Sequence, residues 1–368
     1  MKLWSIWNRA LHRSDQILSN ESKILTNLNL LTLGATSLTL LMIRAMIQHE
    51  FCLTLPLKFF MEESRLFQMT QRIEIEMKQR KLDDDDDDDD QHQQLDDSST
   101  KLTKKRSAHL ICLNRTESAT YGPIVFLHPS TGTIIPQIIE HTGPRFIYAI
   151  QAFGLDIDEP VETNFAEIIE TYFDAIQSIL TSTLTLIGYS SGGILAYAIA
   201  QQFILRNQFN SIQSIILLDT PSPLHYLPIV TDEKVHAIVR HSINPIHRSN
   251  VSFENDALSR ILAVTKANLV SIQNYYSQTI HIPLNLKQFT DLISKIVLVR
   301  ATDHHIERDN ADSSWGWEQY SRRIIKLISD KNHIDEDLIL NHLKKPIWTP
   351  GTHFDLLTQT DVTDWIHL

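Results

Sequence analysis

The chain has 368 residues, 42% of them hydrophobic, enough for one large core and a smaller one beside it. Its net charge of −11 is dominated by one run, Asp83 to Asp90; taking away those eight aspartates raises −11 to −3, and no basic surface argues for nucleic acid. The two cysteines, Cys52 and Cys112, are too few for a disulfide framework, which points to a reducing, cytoplasmic setting.

The opening MKLWSIWNRALHRSDQ has no apolar core followed by a small-residue cleavage site, so it does not read as a secretory signal. Ile24 to Ile43 is uncharged but contains Asn27, Asn29, Gly34 and several threonines. Its periodicity changes midway, so it reads as a loop followed by a helix rather than a membrane span.

Residues 1–80 read as a small helical bundle. Ile6, Trp7 and Leu11 mark the apolar face of a first helix, and a long loop ends in Leu33-Gly34-Ala35-Thr36-Ser37-Leu38. A helix is expected from about Ser37, with Leu38, Leu41, Met42 and Ala45 at helical spacing. Leu55-Pro56-Leu57-Lys58-Phe59-Phe60 follows, then a polar helix to about Lys81. Residues 81–106 are expected to be a flexible linker, because consecutive aspartates repel one another and bury no apolar surface. The run lacks the spacing and turn glycines of a calcium or magnesium site.

From 107 to 368 strand and helix patterns alternate, which predicts an α/β sheet. Expected strands lie at Pro123–Leu127, Arg145–Ala152, around Leu184–Ile187, Ser214–Leu218, Ile296–Arg300 and near Ile347. Between the second and third, Phe165, Ile168, Ile169, Tyr172, Ile176 and Ile179 mark one face of a helix.

The third strand runs into Gly188-Tyr189-Ser190-Ser191-Gly192, and an apolar helix follows. This is the G-x-S-x-G nucleophile-elbow pattern, in which a sharp turn lifts a serine hydroxyl above the sheet. A serine hydroxyl is a weak nucleophile and needs a base, with an acid to orient that base. Ser190, Asp219 and His353 fall in the hydrolase order, each just past a strand. Asp303 competes for the acid's role, and His304 and His305 for the base's. The oxyanion hole is expected at the backbone N–H of Ser191 and of Ser130, since Pro129 has no N–H to give. His128 is expected to pack beside that hole rather than act as a base.

Two resemblances follow from these residues. L-G-A-T-S-L (Leu33–Leu38) and L-P-L-K-F-F (Leu55–Phe60) resemble a peptidyl or acyl carrier domain, although Thr36 stands where that family has an acid or histidine, and Leu30-Leu31 where it has aromatics. This resemblance implies a 4'-phosphopantetheine arm on Ser37 and a phosphopantetheinyl transferase as partner. A serine at a helix start suits a phosphodiester; it is equally a good N-cap.

H-P-S-T-G (His128–Gly132), Y-A-I-Q-A-F-G-L (Tyr148–Leu155), G-Y-S-S-G-G, L-L-D-T-P-S-P (Leu217–Pro223) and G-T-H-F-D-L-L (Gly351–Leu357) resemble, in that order, a type I thioesterase domain. That resemblance implies an α/β-hydrolase domain with a helical lid at about 224–290 and a triad of Ser190, Asp219 and His353, with Asp219 favoured over Asp303. It implies release of an acyl or peptidyl chain from a phosphopantetheine thioester, by hydrolysis or cyclisation, in a nonribosomal peptide or polyketide synthase, with upstream synthetase modules as partners. The chemistry calls for no metal. The competing readings are a serine esterase or lipase on free esters, a non-catalytic synthase remnant, and a membrane-anchored protein using Ile24 to Ile43.

Overall fold

The computed structural model describes residues 3, 5–7, 30, 37–53, 55–62, 65–86, 108–114, 121–133, 145–156, 159–242, 255–278, 284–303, 316–328, 336–341, 343 and 346–352. The chain divides into two compact units, Met1–Ser107 and Ala108–Leu368.

In the first unit α1 spans Ser37–Phe51, α2 Leu57–Glu62 and α3 Leu66–Asp86. Leu40, Ile43 and Ile47 of α1 and Met69 and Ile73 of α3 are buried, three or four residues apart as one helix face requires. Ile6 and Trp7 are buried as well, while Leu11, the loop at 31–36 and the side chain of Ser37 lie outside the described residues. Helix α3 departs from expectation by continuing through the first four aspartates of the acidic run. Extending an existing helix spares the cost of a nucleus, and aspartate loses only about 0.7 kcal/mol against alanine per position. The rest of the expected linker, 87–106, lies outside the described residues.

The second unit is built on a seven-stranded sheet in the order β1-β3-β2-β4-β5-β6-β7. The strands are β1 His109–Asn114, β2 Ile124–Leu127, β3 Ile147–Gln151, β4 Leu184–Tyr189, β5 Ile212–Leu218, β6 Ile296–Asp303 and β7 Ile347–Thr352. All neighbours are parallel except β1, which pairs antiparallel with β3. The sequence pattern missed β1. Among the described side chains of HLICLN only Ile111 is fully buried, so this edge strand lacks the continuously buried run that marks β2 and β4.

Helices of this unit are α4 Phe165–Ser178, α5 Gly192–Leu205, α6 Asp232–Ser242, α7 Asn255–Gln278, α8 Leu286–Ser294, α9 Trp317–Ile328 and α10 Glu336–Leu340. One sheet face, carrying Val125, Leu127, Leu186, Ile215, Leu217 and Leu298, forms a single core with the apolar sides of α4, α5, α7, α8 and α9. Residues two apart along a strand share a face, which is why these alternate. Helix α5 is apolar all round because nearly all of it is enclosed; only Gln202 and Leu205 escape burial. Helix α4 buries Phe165, Ile168, Ile169, Tyr172 and Ile176 of the expected stripe plus Phe173, whereas Ile179 is the half-buried residue that ends it, and Asn164 caps its start by accepting from the Ala166 N–H.

Helices α6 and α7 fall within the expected lid. Helix α8 straddles its expected end at about 290. A capping box of Asn285 and Gln288 starts α8, and Phe289, Leu292 and Ile293 enter the core, so it is the crossover into β6.

Candidate active site

The C-terminal ends of β4 and β5 are locked together. Tyr189 pairs with Leu218, and the Ser190 N–H then donates to the Leu218 carbonyl at 2.9 Å. Likewise the Asp219 N–H donates to the Val299 carbonyl of β6 at 2.7 Å. Ser190 and Asp219 are thus the first residues beyond adjacent parallel strands, at the same level. Both are left-handed, with φ of 54° and 44°. A non-glycine residue there is strained by about 1–3 kcal/mol, and such strain gathers at functional sites. Among the described residues only Cys52 and Asn207 share this feature, and Asn207 lies just past α5, where asparagine commonly adopts it.

Two glycines make the elbow possible. A Cβ on Gly188 would stand 2.2 Å from the Gly192 carbonyl oxygen. One on Gly192 would stand 2.4 Å and 2.6 Å from the carbonyl oxygens of Leu127 and His128. These are backbone atoms with nowhere to go, so the start of α5 is pressed onto the end of β2. Ser190 is half-buried and Ser191 buried. No turn or cap bond among the described residues uses the Ser191 N–H, which points from a helix start where negative charge is favoured.

Asp219 is 2% exposed; its Oδ1 accepts from the Ala301 N–H at 3.4 Å and lies 3.9 Å from Nε of the buried Arg300. The next residues are held from a distance: Trp317 Nε1 donates to the Thr220 carbonyl at 2.9 Å. Trp317 therefore fixes the loop that carries Asp219. Asp303 ends β6, and its Cα pairs with that of Thr352 at the end of β7. The Asp303 side chain, His304, His305 and His353 lie outside the described residues.

The loop after β2 supplies the opposite wall. The Gly132 N–H donates to the Pro129 carbonyl at 2.9 Å, closing a turn around the buried Ser130. His128 is buried with Nδ1 2.8 Å from the Pro129 carbonyl and Nε2 2.8 Å from the Tyr172 hydroxyl. A carbonyl only accepts, so Nδ1 carries the proton and Nε2 accepts from Tyr172. Burial pulls the His128 pKa down to about 4, leaving the ring neutral with both nitrogens engaged. The sequence expected His128 to pack rather than act as a base, and its ring is enclosed with both nitrogens bonded. Asn268 of α7 donates through Nδ2 to the Ser130 carbonyl at 2.8 Å, and Arg260 of α7 donates to the carbonyls of Gly154 and Glu159 at 3.1 and 3.4 Å. Neither residue belongs to a recognisable motif; the trace of Asn268 in the sequence is a polar residue amid the apolar face Val264, Leu269, Ile272.

His109, Asp156 and Glu159 place ligand-type atoms within 4.8 Å of one another, the sole such group among the described residues. Glu159 already accepts from the Gly154 N–H and contacts the His109 ring, both at 2.7 Å, and the Arg260 guanidinium lies on the same turn. Glu159 thus ties the turn after β3 to His109 on β1.

A mostly parallel sheet with a serine in a strained strand-to-helix turn, and a buried acid one strand over, is an α/β-hydrolase-like fold. A family model described as Thioesterase domain matches residues 142–367, more than half the chain. The chain belongs to the thioesterase-domain family, a family of hydrolases. A curated relative, the probable thioesterase KK1J of Curvularia clavata, is 32% identical over 110 residues, covering 29% of this chain and 36% of that protein. Among solved structures, the four-domain nonribosomal peptide synthetase AB3403, in its holo form with AMP and glycine, matches with a TM-score of 0.53 and 17% identity over 99% of this chain and 25% of that one. The Vlm2 thioesterase domain matches at 0.46 and 19% identity, over 71% of this chain and 96% of that one. The chain thus spans about a third of that curated relative and a quarter of that synthetase. No helix among the described residues is long and apolar enough to cross a membrane.

Proposed function

We propose that the chain releases an acyl or peptidyl group from a thioester through an acyl-enzyme on Ser190. The observation that carries this reading is the pair of strained residues, Ser190 and Asp219, at the ends of adjacent strands in a thioesterase-family sheet. Ser190 Oγ attacks the thioester carbonyl while His353 takes its proton. The N–H groups of Ser191 and Ser130 receive the developing oxyanion. His353 returns the proton to the departing thiol, leaving an ester on Ser190. Water, or an amine or hydroxyl of the acyl chain, then attacks that ester, giving a free acid or a ring. Asp219 holds the imidazole in its productive tautomer.

The reading makes a demand on the chain after Thr352. Strand β7 lies three places from β4, about 14 Å at the usual strand spacing. That segment must run back over the end of β6 for His353 to reach Ser190.

We further propose that the first unit is a carrier and that Ser37 bears 4'-phosphopantetheine. Ser37 opens α1 and no acid stands in the first turn, so a phosphodiester there meets a favourable dipole without like-charge opposition. When bound, that group supplies a long thiol arm for the acyl chain. The likeness to the synthetase over 99% of the chain supports the same two-part reading, with upstream synthetase modules as partners. Incubation with a phosphopantetheinyl transferase and an acyl thioester, followed by intact mass measurement, tests both parts. Ser37→Ala should abolish the arm's mass increment and Ser190→Ala the acyl increment on the protein. Faster turnover of simple oxygen esters than of acyl-pantetheine thioesters would favour a general esterase, and failure of a fluorophosphonate to label Ser190 would favour a non-catalytic remnant.

A further inference from the structure

Helix α7 meets the sheet through one stripe. Arg260, Val264 and Asn268 stand four residues apart, so they share a face over two turns. Arg260 grips carbonyls of the turn after β3. Val264 covers Gly132: a Cβ on that glycine, whose φ is 76°, would come within 2.8 Å of Val264 Cγ1 and 2.6 Å of Ala152 Cβ. Asn268 Nδ2 donates to the Ser130 carbonyl at 2.8 Å in a buried setting. The loop 129–132 is therefore held between β3, through the Ala152 N–H to Gly132 carbonyl bond of 3.1 Å, and the lid helix.

We propose that Asn268 is a positioning residue for the oxyanion hole, so that the lid helix and the hole form one unit. The proposal rests on the reading above in which the Ser130 N–H receives the oxyanion. A carbonyl held by a buried donor fixes ψ of its residue. The Ser130 N–H shares a peptide plane with the Pro129 carbonyl, which accepts from the Gly132 N–H; with that plane closed and the next one held by Asn268 through the Ser130 carbonyl, the direction of the Ser130 N–H is set before substrate arrives. Hydrogen-bond donors stabilise a transition state only when aimed where the charge will appear. Without Asn268 the Ser130 carbonyl becomes a buried acceptor without its donor, and the turn re-orients to find another.

The test compares full-length Asn268→Leu and Asn268→Asp with Gln273→Leu. The last removes a different α7 bond, Gln273 Nε2 to the Leu227 carbonyl at 3.1 Å, and so serves as a control for simple loosening of the lid. Three quantities are read: kcat and KM on an acyl-pantetheine thioester, the rate of fluorophosphonate labelling of Ser190, and amide hydrogen exchange over 128–133. Both Asn268 variants should lower kcat and labelling by about 10- to 100-fold, the scale of a misaimed donor, with KM within about threefold. Exchange over 128–133 should rise in both. Gln273→Leu should leave all three near wild type. Unchanged exchange over 128–133 in the Asn268 variants, or labelling slowed no more than in Gln273→Leu, overturns the proposal. A wild-type protein without thioesterase activity would sink the functional reading instead, while exchange and labelling would still decide the role of Asn268.

Discussion

Two walls of the candidate site are held by different means. The elbow wall, Ser190 to Gly193, is fixed by a backbone bond to the neighbouring strand β5 and by the absence of side chains at Gly188 and Gly192. The wall after β2, His128 to Gly132, is fixed by side chains from elsewhere: Tyr172 of α4 on His128, Asn268 of α7 on Ser130 and Val264 of α7 against Gly132. The position of Ser190 is thus a backbone property, rigid once the sheet forms. The turn at Ser130 depends on two helices being docked.

The largest expected effect breaks the first wall chemically. Ser190→Ala should cost three orders of magnitude or more in thioester turnover, measured against unchanged circular dichroism. Gly192→Ala breaks the same wall sterically. Its Cβ meets two backbone carbonyls, so about 1–3 kcal/mol of stability and roughly 100-fold in turnover should go together; denaturant titration beside kinetics checks both.

The second wall should be sensitive to pH. His128 is buried neutral with its pKa pulled down to about 4, so the unfolded chain takes up its proton first. Its contribution is full above about pH 6.5 and declines as pH falls toward 4, by on the order of 3 kcal/mol. The urea midpoint of wild type should therefore fall more steeply over that window than that of His128→Asn. Tyr172→Phe removes the hydroxyl that donates to His128 and leaves Nε2 without it, worth about 1–3 kcal/mol at neutral pH, with a smaller loss of activity than at the elbow. The smallest effect is expected on the outer side of α7. The Lys266 to Asp232 ion pair is solvent-exposed, so Lys266→Ala should leave turnover and thermal midpoint unchanged while the stripe on the other face does not tolerate change.

The contrast between the walls also explains what was legible in the sequence. The elbow announces itself, because a tight strand-to-helix turn needs glycines at fixed offsets, and these appear as G-Y-S-S-G-G. The α4 stripe was legible for a similar reason: periodicity of 3.6 records which side faces the core. Strand β1 was not, since an edge strand with one fully buried residue carries little periodicity. Helix α3 outran its expected end because charge pattern alone does not register the propagation of a helix already begun.

The sequence by itself determined the alternation of strands and helices, the serine at the elbow and the acid that follows the next strand. Each of these depends on neighbours within a few residues. The tertiary structure alone decided that Ser190 and Asp219 share a level across β4 and β5, that Trp317 holds the acid's loop, and that Asn268, 138 residues beyond Ser130, grips its carbonyl. Contacts between residues so far apart leave no periodicity and no motif; they exist only once helices are packed against the sheet.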